Sequence, residues 1–281
     1  MKYVQKFFDI FKTREKPFKY ILGKVLVSTK LCMLFSINRK KYKLRFYPSS
    51  LSLFTWLYPN DRVDEDVFFD RFLKKSDNVV DVGANIGTIS LLSSSLISET
   101  GKVFSIEANP KTFEYLKGNI EFNKRKNITP INIALGDSKG EILFSDKFED
   151  DQNKILTSGS GIWVPITLLD ELGINESKID LLKIDVEGFE IFVLKGGGEL
   201  LKRTGCIYFE SWEDHFKNYN YSTKDVLQYL SAQGFKCFRF TDLYSLVSVS
   251  NDYVSRDCEN IIAIKDVDAF TQRTNFKIER A

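Results

Sequence analysis

Apolar positions along this chain recur with two different periods, and the changes between them mark the elements. From Asn78 onward, short apolar runs alternate with stretches of helical spacing. NVVDV (78–82), KVFSIE (102–107), INIAL (131–135) and IDLLKID (179–185) predict four strands. CIYFE, ending at Glu210, predicts a fifth, and KCFRF (236–240) and NIIAI (260–264) predict the last two. Between them, Ile89, Leu92 and Leu96 predict one helix, and Phe113, Leu116 and Ile120 another. Asn109 followed by Pro110 reads as an N-cap with proline at the first helical position. Ser222 and Asp225 form a capping box ahead of Val226 and Leu230. Runs such as VVDV and LLKI suit strands buried on both faces, so an α/β fold with a doubly wound, mostly parallel sheet is expected.

The first 64 residues follow another pattern. Val4, Phe7, Phe8 and Phe11 form one apolar helical stripe, flanked by Lys2, Lys6, Lys12 and Arg14 and closed by Pro17. LCMLFSINRKKYKLRFY (31–47) reads as a β-hairpin turning at Asn38, and VDEDVFFDRFL as a helix leading into the alternating region. Net charge is +2 overall, yet residues 1–46 carry 13 Lys and Arg against Asp9 and Glu15. A cationic front therefore precedes an acidic body. A basic amphipathic helix can rest on an anionic lipid surface or pack on its own domain. No apolar run suggests a membrane span. The four cysteines are far apart and the single histidine is His215, so reduced thiols in a cytoplasmic protein are expected and no metal site is. Residues 145–161 form the one long polar stretch and predict a mobile loop.

Candidate chemistry begins at Asp81-Val82-Gly83-Ala84-Asn85-Ile86-Gly87, directly after a strand and at the start of a helix. Gly83 permits a tight turn and Gly87 a close approach of helix and strand. With Asn85 in place of a glycine, a diphosphate has less room than in a dinucleotide loop, which favours a nucleoside without one. Glu107 ends the next strand 20 residues beyond Gly87, where a carboxylate can accept both hydroxyls of a ribose.

DVGANIG, IEANP, ALGD, LKIDVEGFE and FES, in that order over residues 65–265, resemble the FkbM family of S-adenosylmethionine-dependent methyltransferases. The resemblance implies a class I methyltransferase fold, a Rossmann-like seven-stranded sheet whose last strand, NIIAI, runs antiparallel beside KCFRF. It implies an accessory region over 1–64 and the methyltransferase domain over 65–281. Carried onto this chain, Asp81, Gly83, Ala84 and Asn85 would cradle the methionine end of S-adenosyl-L-methionine. Glu107 would hold the ribose, Ala108 and Asn109 would lie beside the adenine, and Leu135 would stand on the opposite wall.

Ligands of such sheets sit beyond the strand C-termini. Asp185 and Glu187 close one strand and would share a side if it persisted that far, and Glu210 closes the next. Asp185 is a candidate for the cofactor's ammonium group, Glu187 and Glu210 for the acceptor's proton, and His215 is a further candidate base. A structural alternative makes Asp185 an N-cap and Glu190 a dipole-favoured acid. The acidic body disfavours nucleic acid, and the NPPY-like tetrapeptide of amino-methylating relatives is missing. The resemblance implies O-methylation of a sugar, glycan, glycolipid or natural product, with an NAD-type oxidoreductase or a silent cofactor-binding scaffold as alternatives. A basic N-terminus touching a membrane would suit a lipid-linked acceptor.

Overall fold

The computed structural model describes residues 14–279. The predicted stripe Val4–Phe11 therefore lies outside the described residues. Pro17, beyond that stripe, opens the first described helix: α1 spans Pro17–Ser28 with the proline in its first turn. The hairpin follows as β1 (Ser36–Asn38) and β2 (Lys43–Arg45), antiparallel, and α2 (Ser50–Leu57) and α3 (Val63–Phe72) lead into the sheet.

The large sheet is built from β3 (Asn78–Val82), β4 (Lys102–Glu107), β5 (Ile128–Asn132), β9 (Ile179–Ile184), β10 (Thr204–Ser211), β11 (Lys236–Phe240) and β13 (Glu259–Ile264). In space they run β5-β4-β3-β9-β10-β13-β11, with β13 antiparallel to both neighbours. The expected seven-stranded arrangement is thus present, and NIIAI is its antiparallel strand. The sheet then extends to nine strands, because β12 (Ser245–Ser248) and β14 (Lys277–Glu279) add beyond β11. Residues alternate between two cores as a pleated strand requires. Val79 and Leu181 join one apolar cluster, with the front elements and α3, while Val80 and Leu182 join the other.

INIAL does not form one strand. Asn132 ends β5, and its side-chain amide donates to the carbonyls of Glu107 and Ala108 (2.8 and 3.1 Å), fixing the strand end. The chain then leaves the sheet, and Ala134–Leu135 (β6) pairs with β8 (Ile162–Thr167), which also pairs with β7 (Gly140–Phe144). This small second sheet packs over the strand ends. Helix α4 (Thr88–Ile97) follows the DVGANIG turn, and α5 (Pro110–Phe122) is capped by Asn109, whose Oδ1 accepts from the amides of Lys111 and Thr112. The capping box of Ser222 and Asp225 opens α9 (Thr223–Ala232), after the short helices α6 (Glu190–Lys195), α7 (Gly198–Lys202) and α8 (Glu213–Lys217). Helix α10 is Val267–Thr274. All four cysteines are unpaired thiols, three of them buried. Among the described residues no helix is long and apolar enough to cross a membrane.

Candidate active site

Strands β3, β4 and β9 run side by side and end at one edge, where a cavity of about 250 Å³ opens. Gly83 forms its floor. Its φ is +75°, and a Cβ there would lie 1.8 Å from the Asp185 carbonyl oxygen, so the first and fourth strand ends meet at a distance only glycine allows. Gly87 also has positive φ, but the close approach it permits is to Leu116 of α5 rather than to a strand.

Glu107 ends β4 and is buried at the cavity wall. Its two carboxylate oxygens accept from the backbone amides of Asn85 (2.9 Å) and Asn109 (2.8 Å). Burial pushes its pKa up to about 7, against the opposing pull of these two amides. One amide per oxygen leaves each with acceptor capacity for a hydroxyl from the cavity. Ala84, Asn85, Ala108 and Leu135 line the same cavity.

Three of the expected cofactor residues lie beneath or beside the cavity. Asp81 is fully buried, accepts from Ser90 Oγ (2.5 Å) and pairs with Lys183 (3.4 Å), its direct neighbour in the β3–β9 register. Asn109 is engaged as a helix cap, and Gly87 as a turn. Asp185 lines the cavity and lies 3.5 Å from Lys183 Nζ, which also donates to the Gly83 carbonyl (3.0 Å). Burial alone would discharge this lysine, but Asp185, Asp81 and Glu65 outweigh it and hold its pKa above the ordinary value.

Asp185 is not an N-cap, since Phe189 stands at that position of α6. Nor does β9 persist to Glu187. It ends at Ile184, and Glu187 adopts φ +57° before Gly188 at +100°. Both acids nevertheless face the cavity because the chain loops around its rim. Glu190 accepts from the amides of Val186 and Gly188 (3.1 and 3.3 Å), tying that loop to the helix start. Glu210 lines the cavity from the end of β10. His215 Nδ1 lies 3.4 Å from Glu187 and 3.9 Å from Glu210. Burial, reinforced by repulsion from Glu210 and Asp185, pushes Glu187 up to about 9. Burial and Asp185 push Glu210 up to about 8, while burial and Lys154 lower His215.

The polar stretch 145–161 is also part of the wall. Asp150, Asp151, Asn153 and Ile155 line the cavity. Asp150 Oδ1 accepts from the Ser50 amide and hydroxyl (2.7 and 2.6 Å) and the Leu51 amide (3.1 Å), and its carbonyl accepts from Asn85 Nδ2 (3.0 Å). The stretch expected to be mobile is thereby clamped between α2 and the DVGANIG turn. Leu51 and Arg62, from the front of the chain, complete the lining.

Residues 81–237 match the profile of the methyltransferase FkbM domain. The chain belongs to the FkbM methyltransferase family. It is 31% identical over 177 residues to the hexuronic acid methyltransferase AglP of Haloferax volcanii, covering 60% of this chain and 70% of that protein. Among solved structures it is similar to an FkbM methyltransferase of Methylobacillus flagellatus (16% identity, 68% of this chain and 44% of that one, TM-score 0.43). It is also similar to an S-adenosylmethionine-dependent methyltransferase of Aquifex aeolicus (17% identity, 72% and 89%, TM-score 0.43). This FkbM protein is an enzyme that uses S-adenosylmethionine. Its cavity suits that cofactor: a glycine-only floor, a strand-end acid with acceptor capacity to spare, and further acids among the lining residues.

Sequence reasoning missed Lys183 and the clamped loop. Lys183 had a signal, since a lysine inside an apolar strand must be paired when buried. Asp150 had none, because its partners Ser50 and Leu51 lie about a hundred residues away.

Proposed function

We propose that this FkbM enzyme methylates an oxygen of a sugar-class acceptor, with Glu187, Glu210 and His215 facing the acceptor. The observation that carries the reading is the continuity of one cavity from Gly83 and Glu107 to Glu187 and Glu210. Donor and acceptor would share a single space. The named substrate of the relative AglP, a hexuronic acid, supports a sugar.

When bound, S-adenosylmethionine supplies an electrophilic methyl group, and the carbon–sulfur electron pair stays on sulfur as the methyl leaves. Gly83, Ala84 and Asn85 would hold its methionine end, with Asp185 toward the ammonium group. Glu107 would take the ribose hydroxyls, and Ala108 and Leu135 would flank the adenine. Holding both reactants in line supplies much of the rate of such a displacement. A hydroxyl acceptor forms its carbon–oxygen bond with a lone pair and gives up a proton, for which the Glu187–Glu210–His215 group would be the nearest destination, directly or through what it holds. A carboxylate acceptor has no proton to lose. The front of the chain, through Leu51 and Arg62, would form the acceptor-side wall as an accessory region over 1–64.

The test is S-adenosylhomocysteine release with a panel of neutral sugars, uronic acids and their glycans, followed by mass spectrometry of the products. A mass gain of one methyl on a sugar oxygen supports the reading. Turnover confined to nitrogen acceptors or nucleic acid would overturn it.

A further inference from the structure

Two carboxylates and an imidazole converge at one end of the cavity from three separate segments, the carboxylates lining it and the imidazole beside them. Glu187 comes from the loop after β9, Glu210 from the end of β10, and His215 from the short helix α8. One ligand atom of each lies within 4.8 Å of the other two. His215 Nδ1 is buried and makes no hydrogen bond. Its separations of 3.4 Å from Glu187 Oε2 and 3.9 Å from Glu210 Oε2 fit badly as hydrogen bonds. The shorter separation matches an edge between two ligands that each stand about 2.0–2.2 Å from one shared cation, and the longer one exceeds such an edge by about half an ångström.

The surroundings hold this arrangement in place. The indole of Trp212 packs on the His215 ring at 4.1 Å between centroids. Cys258 donates to Glu210 Oε1 (3.1 Å), so Oε2 is the oxygen turned toward the histidine. Glu187 adopts a left-handed backbone conformation, and the carbonyl of His215 lies 2.8 Å from where a Cβ on Gly188 would stand. Strained backbone and close approach together press the Glu187 loop against α8. Lys183 is engaged with Asp81 and Asp185, and Arg62 with Glu65, which leaves Lys154 as the cation that acts on His215.

We propose that Glu187, Glu210 and His215 are three ligands of a divalent metal ion at the acceptor end of this cavity. The two carboxylates and one imidazole suit manganese, and three protein ligands leave positions open for acceptor oxygens. This extends the functional reading above to an acceptor whose hydroxyl or carboxylate oxygens approach a cation, rather than bare glutamates, and it rests on that reading.

The test is a manganese(II) titration of the chelator-treated full-length protein, followed by electron paramagnetic resonance, with S-adenosylhomocysteine binding measured on the same sample. The expected result is one manganese per chain, with affinity reduced at least tenfold in Glu210→Gln and in His215→Ala while S-adenosylhomocysteine still binds. Absence of manganese binding beside intact S-adenosylhomocysteine binding overturns the metal site and leaves the methyltransferase reading standing. The metal site is equally overturned if both variants fold, as their S-adenosylhomocysteine binding reports, and hold manganese as tightly as the parent. Loss of both ligands in the parent protein overturns the two readings together.

Discussion

Gly83 and Glu107 each do something no substitute can do without cost. At Gly83 the backbone is left-handed, and the Asp185 carbonyl occupies the space where a side chain would begin. Gly83→Ala is therefore expected to lower stability by at least ~2 kcal/mol, from the unfavourable φ together with displacement of the β9 end. Thermal unfolding measures this, and a loss below ~0.5 kcal/mol would show the two strand ends to be freely separable. Glu107 gives a pH dependence. Burial pushes its pKa up to about 7 in the free protein, and only the ionised form accepts strongly on both oxygens with no proton of its own in the way. Ribose hydroxyls that donate to it favour that form. Affinity for S-adenosylhomocysteine should accordingly be flat above pH 8 and weaken as pH falls below 7, by at most tenfold per unit. Calorimetry across pH 5.5–8.5 reads the trend, and stronger binding at the acid end would contradict it.

The turn after β3, the rim after β9 and the 145–161 stretch surround the cavity from three sides, but their origins differ. The first two grow out of strand ends and were legible in the sequence: a glycine turn after an apolar run, acids after another. The third is held by contacts that span the chain. Asp150 accepts three hydrogen bonds from Ser50 and Leu51 at the start of α2. Asp150→Ala leaves the Ser50 and Leu51 amides unpaired, with only the Ser50 hydroxyl still held by Asp151, and so loosens the stretch from the front of the chain, costing about 1–3 kcal/mol in stability. Faster amide hydrogen exchange over residues 145–161, with β3 and β9 unchanged, is the expected signature; unaltered exchange would place the clamp elsewhere. The extra strands β12 and β14 were likewise invisible, since SLVS and KIE are too short for periodicity to show. The break in INIAL was hidden because Ile131 to Leu135 continue the apolar run while Asn132 fixes the end of β5.

Charge in this molecule is distributed unevenly along the chain. The excess of Lys and Arg lies wholly in the front of the chain, and the sheet edge concentrates acids around one cavity. Only two cations, Arg62 and Lys183, stand among its lining residues. A sulfonium cofactor is favoured by that balance, and on the proposed reading the convergence of β3, β4 and β9 would give it a floor at Gly83 and a ribose acceptor in Glu107. The proposed function turns on this strand-end pocket holding S-adenosylmethionine through Glu107. Isothermal titration of S-adenosylhomocysteine into the parent protein and into Glu107→Ala decides the point. One site per chain is expected in the parent, weakened in the variant by ~1–3 kcal/mol with the fold intact. Equal affinity in the two proteins, or no binding to either, would contradict it.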